Sequence, residues 1–292
     1  MPELPEVESL ARFLREVAVG RHVTRVEVAS LSVLKTYDPP VDALAGATLT
    51  ATGRRGKFLL LEHASADGER LFLVLHLARA GWLRWKEPMP PARAKPGRGP
   101  LALRVRYEGD VGFDVTEAGT EKRVAAYVVR DPDDIEFVAT LGPDPLDPGF
   151  TVDRLHDLLT SAGGSQIKGA ITDQRLIAGV GNSYSDDALH LARLSPFKPA
   201  SKLTADEVTR LHHALVEVLS AAIARADDLT ADKLKSDKKG NTRVHGRTGQ
   251  PCPVCGDTIR EVSFATKSLQ YCPTCQTGGK PLADRRLSRL LK

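Results

Sequence analysis

CPVCGDTIREVSFATKSLQYCPTC, residues 252–275, contains all four cysteines of the 292-residue chain. Its C-x2-C-x16-C-x2-C spacing is typical of a four-thiolate zinc site, because two tight turns on one hairpin present tetrahedral ligands to a single ion. Two disulfide bonds are the alternative. However, the first residues have neither the basic start nor the apolar stretch of an export signal, and thiols stay reduced inside the cell. The stretch therefore predicts a zinc β-hairpin with one structural Zn2+, bound by Cys252, Cys255, Cys272 and Cys275.

This hairpin lies in a basic part of the chain. From residue 231 onward there are 13 Lys and Arg against 5 Asp and Glu, whereas the preceding 230 residues carry 28 against 32. A hydrophobic content of 41% excludes a wholly disordered chain, and no apolar run approaches the ~18 residues of a membrane span. A basic segment is most often a solvated surface, but it also favours a polyanion such as nucleic acid. We expect a cytoplasmic protein, nucleoid-associated if bacterial, that does not bind membranes.

The hydrophobic pattern changes twice along the chain before the hairpin. Up to residue 130 it has a period of two or short apolar runs, which predicts strands near 25–28, 58–61, 71–77, 101–107 and 123–129. An amphipathic helix precedes these strands, and a hairpin turn is expected at 108–110. The pattern becomes helical after residue 150. It predicts an α+β multidomain protein, with a β-sandwich and flanking helices at 1–130, a proline-rich linker at 131–150, a helical domain at 151–235, and the zinc finger with a basic tail at 236–292.

The chain start carries a candidate nucleophile. A free α-amino group has a pKa near 8 against 10.4 for lysine, and a helix N-terminus lowers the pKa of an amine further. Removal of Met1 would leave the secondary amine of Pro2, which can attack an aldehydic sugar carbon, with Glu3 beside it to move protons. The alternative is structural, because proline and glutamate are both favoured in the first turn of a helix.

Several motifs together resemble the formamidopyrimidine-DNA glycosylase and endonuclease VIII family. They are MPELPEVE at 1–8, RRGK at 54–57, HL at 76–77, LGPDP at 141–145, GVGNSYSDD at 179–187, and the zinc hairpin. They span nearly the whole chain in the family's order, and the set is more specific than any single motif.

The resemblance implies a helix–two-turn–helix domain between the sandwich and the zinc finger. It also implies base-excision repair of damaged DNA by a monomer, with N-glycosidic cleavage followed by β,δ-elimination. Pro2 would attack the sugar C1′, Glu3 would protonate the ring oxygen, and Lys57 would hold the phosphate beside the lesion. By spacing alone, a solvated turn lysine after Gly56 is the commoner case.

The resemblance also assigns DNA-backbone contacts to Lys168, Asn182 and Lys267. Asn182 follows a Gly-x-Gly turn, and either Asn182 or Ser183 is expected to cap the next helix. If Ser183 caps, Asp186 is the third residue of a capping box. Lys267 stands where the family has an arginine, and it lacks that residue's bidentate fork.

Three departures from the family concern the damaged base. Arg79 stands where the family has a methionine that fills the void left by the everted base. In the loop 116–124, the family's arginine is Lys122 or Arg123, and its phenylalanine is Val124. The base-capping loop, 236–245, is short. These departures argue against a standard 8-oxoguanine enzyme. Arg79 either fills the void through its guanidinium or is an ordinary surface arginine.

The alternative function is a non-catalytic, zinc-containing protein of the same fold that binds DNA lesions or junctions. The retention of Pro2, Glu3 and Lys57 favours an enzyme, because binding alone needs neither the N-terminal amine nor its neighbouring acid.

Overall fold

The computed structural model describes residues 1–97, 99–118, 121–227, 229–264 and 268–283. The chain forms two compact units. The first comprises Met1–Leu141 and Ile223–Lys235, and the second comprises Gly142–Ala222 and the segment that begins at Ser236. None of the helices in the described ranges has the length and apolar content of a bilayer span.

Two antiparallel four-stranded sheets form most of the first unit. Their strands, in chain order, are β1 (Val23–Val28), β2 (Thr48–Arg55), β3 (Phe58–Ala64), β4 (Arg70–His76), β5 (Gly81–Lys86), β6 (Leu101–Tyr107), β7 (Val111–Glu117) and β8 (Ala125–Val129). One sheet has the order β1-β6-β7-β5 and the other β2-β3-β4-β8. The predicted sandwich is therefore confirmed, although β2, β5 and β7 were not predicted.

The turn between β6 and β7 confirms the predicted hairpin. Gly109 and Asp110 have φ angles of 82° and 57°. This left-handed region suits glycine and tolerates aspartate, so the local sequence matches the turn.

Helix α1 (Leu4–Ala18) packs on the core of the first unit. Val7, Leu10 and Leu14 are fully buried, as their helical spacing predicts. The segment Ile223–Lys235 also contacts this core, because the Trp82 indole N–H donates to the Ala231 carbonyl oxygen at 3.0 Å.

The proline-rich stretch after β8 is partly helical. Residues Pro132–Asp134 form a 3-10 turn, and α2 spans Glu136–Ala139. Ile135 and Val138 are buried in a small cluster with Phe58 and Phe72. The domain boundaries given above stay a prediction.

The second unit is helical up to the zinc hairpin. Its elements are α3 (Val152–Ser161), α4 (Ile167–Thr172), α5 (Asn182–Leu191), α6 (Ala205–Ala226, whose last turn lies in the first unit), α7 (Leu234–Gly240, also shared between the units), β9 (Arg260–Ser263), β10 (Ser268–Tyr271) and α8 (Pro273–Thr277). Strands β9 and β10 pair antiparallel, which confirms the predicted hairpin.

Candidate active site and zinc centre

The chain start is locked by a reciprocal cap on α1. The Glu3 side chain accepts from the Glu6 backbone N–H, and the Glu6 carboxylate accepts from the Glu3 backbone N–H at 2.7 Å. Such a capping box satisfies two helix N–H groups that would otherwise lack partners. Pro2 is buried, Glu3 is 1% exposed, and Met1 is 48% exposed. The structure therefore buries the predicted nucleophile and holds the neighbouring acid through its cap with Glu6.

Ion pairs join this helix to strand β2. Glu8 accepts from the Arg54 Nε at 2.9 Å and from the Arg12 Nε at 3.0 Å. The Thr52 hydroxyl donates to the Ala11 carbonyl oxygen at 2.6 Å. Because β2 continues through a tight turn into β3, these contacts fix the helix against the hairpin whose turn carries Lys57.

Lys57 is buried in that turn, which contradicts the alternative of a solvated turn lysine. Gly56 has a φ of 53°, a conformation in which glycine avoids steric strain. Lys57 is only 8% exposed. Burial, and after it the nearby charge of Lys57, lower the pKa of His76 to about 4. The His76 ring packs on Phe58 with centroids 4.8 Å apart, so Lys57 lies beside a neutral imidazole.

Arg79 lies on a tight turn between β4 and β5. The Gly81 N–H donates to the Leu77 carbonyl oxygen at 2.9 Å, and Ala78 has a φ of 50°. A Cβ at Gly81 would lie 2.2 Å from the Leu77 oxygen and 2.5 Å from a Val124 methyl carbon. Arg79 is exposed, and Val124 is 2% exposed in the core. The turn that carries Arg79 thus packs against Val124 through Gly81, and Val124, the other position predicted to be altered beside the base, is a core residue.

The segment that leads to Val124 is held by one buried carboxylate. Glu117, 2% exposed, accepts from the backbone N–H of Arg123 at 2.9 Å and from that of Val124 at 3.2 Å. The Arg123 side chain is 71% exposed and pairs with Glu121 at 2.7 Å. The backbone is therefore fixed while the guanidinium points outward.

Lys168 is enclosed by acceptors of α5. Its ammonium donates to the Asn182 carbonyl oxygen at 2.8 Å, to the Ser185 hydroxyl at 2.6 Å, and to the Asp186 carboxylate at 2.6 Å. An ammonium has three N–H groups, so these contacts use all of them. The side chain is 11% exposed. In this arrangement Lys168 orders the start of α5, and a direct phosphate contact would require it to exchange one of these partners.

Two consecutive carboxylates fasten the chain before the zinc finger to α5. Asp186 also accepts from the His245 Nδ1 at 2.7 Å, which makes it a bridge between two basic side chains. Asp187 accepts from the backbone N–H groups of Arg243 and Val244, both at 2.9 Å. Burial raises the pKa of Asp187, and these N–H groups oppose that rise.

The predicted cap of α5 is wrong. The N-cap residue is Gly181, and the helix begins at Asn182. The Asn182 amide instead donates to the Ser268 carbonyl oxygen at 2.7 Å on the zinc hairpin, and Asp186 is an ion-pair partner. The segment 236–245, predicted to be a short base-capping loop, is partly helical, because α7 includes its first residues. There, the Lys238 ammonium lies 4.5 Å from the centroid of the Tyr184 ring.

The four cysteines converge at the base of the hairpin. The Sγ atoms of Cys252 and Cys275 are 3.8 Å apart, and those of Cys255 and Cys272 are 3.4 Å apart. Tetrahedral zinc with Zn–S bonds of ~2.3 Å places sulfurs ~3.8 Å apart, so the site fits zinc. His190 joins the cluster: its Nε2 lies 3.2 Å from the Cys252 Sγ.

No role is predicted from the sequence for His76, Asp187, His190 or His245. One signal was available, since residues 182, 186 and 190 are spaced by four and share a helix face. A histidine and an acid on the same face as a predicted phosphate contact could have indicated a buried polar network.

Three family models match the chain in the predicted order. They are the N-terminal domain of formamidopyrimidine-DNA glycosylase at 1–134, its H2TH domain at 141–233, and the zinc finger found in FPG and IleRS at 249–278.

Relatives and solved structures agree with these models. The formamidopyrimidine-DNA glycosylase of Symbiobacterium thermophilum is 37% identical over 98% of this chain and 93% of its own length. An uncharacterized formamidopyrimidine-DNA glycosylase-like protein of Mycobacterium tuberculosis is 59% identical over 52% of this chain and 94% of its own.

The crystal structure of the MutM (FPG) protein from Thermus thermophilus superposes with a TM-score of 0.78 at 32% identity, covering 96% of this chain and 100% of that one. The Lactococcus lactis enzyme, solved non-covalently bound to DNA containing an abasic site, gives 0.79 at 27%, covering 94% and 99%.

The matches and the fold define a zinc-finger DNA glycosylase of base-excision repair. The chain belongs to the formamidopyrimidine-DNA glycosylase family, which confirms the resemblance. The prediction of a structural Zn2+ is confirmed as well, by the zinc-finger match together with the cluster of His190, Cys252, Cys272 and Cys275. That Cys255 is one of the four ligands stays a prediction. Lys267 lies outside the described residues, and its predicted role stays a prediction.

Proposed function

We propose that this DNA glycosylase is also an abasic-site lyase, with Pro2 as the nucleophile, Glu3 as the proton relay and Lys57 as a phosphate ligand. The observation that carries the proposal is the fixed chain start, where Pro2 is buried and Glu3 is held by the reciprocal cap with Glu6. A merely structural cap would need neither an imino acid at the chain start nor a buried cationic Lys57 in the same unit.

Each group has a defined task in the reaction. After removal of Met1, the Pro2 amine attacks the sugar C1′, the N–C1′ bond forms, and the glycosidic bond to the base breaks. The proton released by the amine passes to the departing base. The protonated Glu3 carboxyl then gives its proton to the ring oxygen, so the bond from C1′ to the ring oxygen breaks and the sugar opens to an iminium ion. Loss of a C2′ proton expels the 3′ phosphate, and a second elimination expels the 5′ phosphate. Lys57 stabilises the phosphate charge. The product is a one-nucleotide gap with phosphate ends.

Damaged DNA is the proposed partner, bound by a monomer in the cytoplasm. Asn182, Lys168 and Lys267 would lie near the DNA backbone, with Lys168 acting through the start of α5 that it orders. The exposed guanidinium groups of Arg79 and Arg123 would contact DNA beside the lesion. The division into a catalytic sandwich at 1–130, a linker at 131–150, a helix–two-turn–helix domain at 151–235 and a zinc finger with tail at 236–292 belongs to this proposal.

Borohydride trapping on a duplex with one abasic site tests the nucleophile. We expect a covalent complex with the processed protein, and at least a tenfold loss with Pro2→Gly or with a residue added before Pro2. Glu3→Gln, at the neighbouring residue, is the control that separates trapping from base excision. It should still trap on an abasic site, because the base has already gone, while excision of a base falls. Thermal melting of each variant verifies that it is folded.

Two outcomes contradict the proposal in different ways. Undiminished trapping with a blocked N-terminus would assign the nucleophile to a lysine. Tight binding of abasic DNA by the processed protein, without trapping or strand cleavage, would support the alternative of a non-catalytic lesion-binding protein.

A further inference from the structure

Five donor atoms surround a metal position that needs four. Besides the four thiols, the His190 Nε2 lies 3.2 Å from the Cys252 Sγ. The ligand atoms of His190, Cys252, Cys272 and Cys275 all lie within 4.8 Å of one another. Tetrahedral zinc with Zn–S and Zn–N bonds of ~2.3 and ~2.0 Å has ligand–ligand edges of roughly 3.5–3.8 Å. Either Cys255 or His190 can therefore complete the set with small side-chain movements.

The two candidates for the fourth position differ in environment. Cys255 is exposed, whereas Cys252 and Cys272 are buried and Cys275 is half-buried. His190 is 2% exposed and belongs to α5, a helix held by its own buried network. Its Nδ1 is buried without a hydrogen-bond partner among the described residues, so within that part of the chain the cysteine cluster is the polar group that orients the ring.

We propose that His190 is a substitute zinc ligand, which completes a Cys3His site when Cys255 leaves the metal. In the exchange, the bond from zinc to the Cys255 sulfur would break and a bond to the His190 Nε2 would form. The Nε2 proton would leave to solvent or to the released thiolate, and Nδ1 would take up one proton from water, so that the ring stays neutral. Cys3His is a common structural zinc set. A neutral imidazole replaces a thiolate, so the centre loses one negative charge. While Cys255 is bound, the His190 Nε2–H donates to the Cys252 thiolate and keeps the ring at this distance.

A substitute ligand is an advantage here because Cys255 is exposed. A thiolate on the surface is the ligand most accessible to electrophiles and oxidants, while buried thiolates are protected. With His190 at the same metal position, loss of this single ligand leaves four-coordinate zinc and a folded hairpin. The hairpin would keep its register with α5, to which Asn182 binds it through the Ser268 carbonyl.

Metal content and cobalt spectra of the full-length protein test this proposal. The variants are Cys255→Ala, His190→Phe, the double variant, and Cys272→Ala as the control for a ligand with no substitute. We expect about one zinc per chain in wild type, Cys255→Ala and His190→Phe, and at least a tenfold loss in the double variant and in Cys272→Ala. With Co2+, wild type and His190→Phe should give an all-sulfur spectrum. Cys255→Ala should give the blue-shifted absorption of a site with one nitrogen.

A second measurement separates ligation from folding. The variant Cys255→Ala/His190→Ala leaves a buried space at residue 190, and added imidazole should restore the nitrogen-containing cobalt spectrum. The proposal is overturned if Cys255→Ala loses zinc as completely as Cys272→Ala, or if its cobalt spectrum does not change when His190 is removed. A nitrogen-containing spectrum in the wild type would overturn the substitute role as well, since His190 would then be the resident ligand.

Discussion

Within the first unit, the start of the chain keeps the motifs of the family, whereas the turn around Arg79 and the segment before Val124 have changed. Pro2, Glu3 and Lys57 are all buried, and Glu3 is held by its reciprocal cap with Glu6. At the other region the backbone is fixed just as firmly, by Gly81 and the Glu117 carboxylate, but Arg79 and Arg123 are exposed. Under the proposed function, the contrast predicts that chemistry on the sugar is retained while the interaction with the base is altered.

The largest expected difference is between two variants that each remove one positive charge, one variant in each region, and it concerns the rate of abasic-site cleavage. Lys57→Ala should lower single-turnover cleavage of abasic DNA by about 100-fold, because a buried cation that stabilises developing phosphate charge contributes roughly that much. Arg79→Ala, the matched variant in the changed region, should lower it by less than about threefold, since an exposed side chain contributes little to a step on the sugar. Equal losses in the two variants would mean that both regions serve the lyase step.

Restoring the aromatic residue at Val124 should destabilise the protein by about 2 kcal/mol, since overpacking a filled core typically costs 1–3 kcal/mol. The denaturation midpoint of Val124→Phe should fall with an unchanged slope. Val19→Phe is the control, because Val19 is an exposed valine of the same unit. If Val124→Phe were as stable as wild type, the phenylalanine ring could turn out of the core. The core would then not restrict which side chain stands at position 124.

The smallest expected effect is on the choice of lesion. Excision of 8-oxoguanine opposite cytosine should be at least tenfold slower than cleavage at an abasic site, about 1.4 kcal/mol in barrier. A flipped purine needs a filled void behind it, and Val124 cannot supply the filling. Single-turnover rates on matched oligonucleotides measure the ratio, with an oxidised pyrimidine as the third substrate. Equal rates for 8-oxoguanine and the abasic site would remove the distinction between the two regions.

The sequence was sufficient for features that depend on local pattern. Cysteine spacing indicated the zinc hairpin, and alternation indicated strands such as β3 and β6. Polar and glycine-containing strands such as β2, which reads TLTATGRR, lack that alternation and were missed. The partners of Lys168, Asp186 and His245 could not be predicted either. They come from separate segments of the chain, and only the tertiary fold determines which buried charges meet.

Gly81 limits which residues can be engineered into this turn. Since even one added carbon would collide with the Leu77 carbonyl and with Val124, a substitution at position 81 should destabilise the turn. Arg79, two residues earlier on the same turn, is exposed, so a replacement there should cost less stability than one at Gly81. The turn thus places a position that tolerates substitution two residues from one that does not. A library of variants at residue 79 would therefore keep the backbone of the turn while it changes the side chain that is presented.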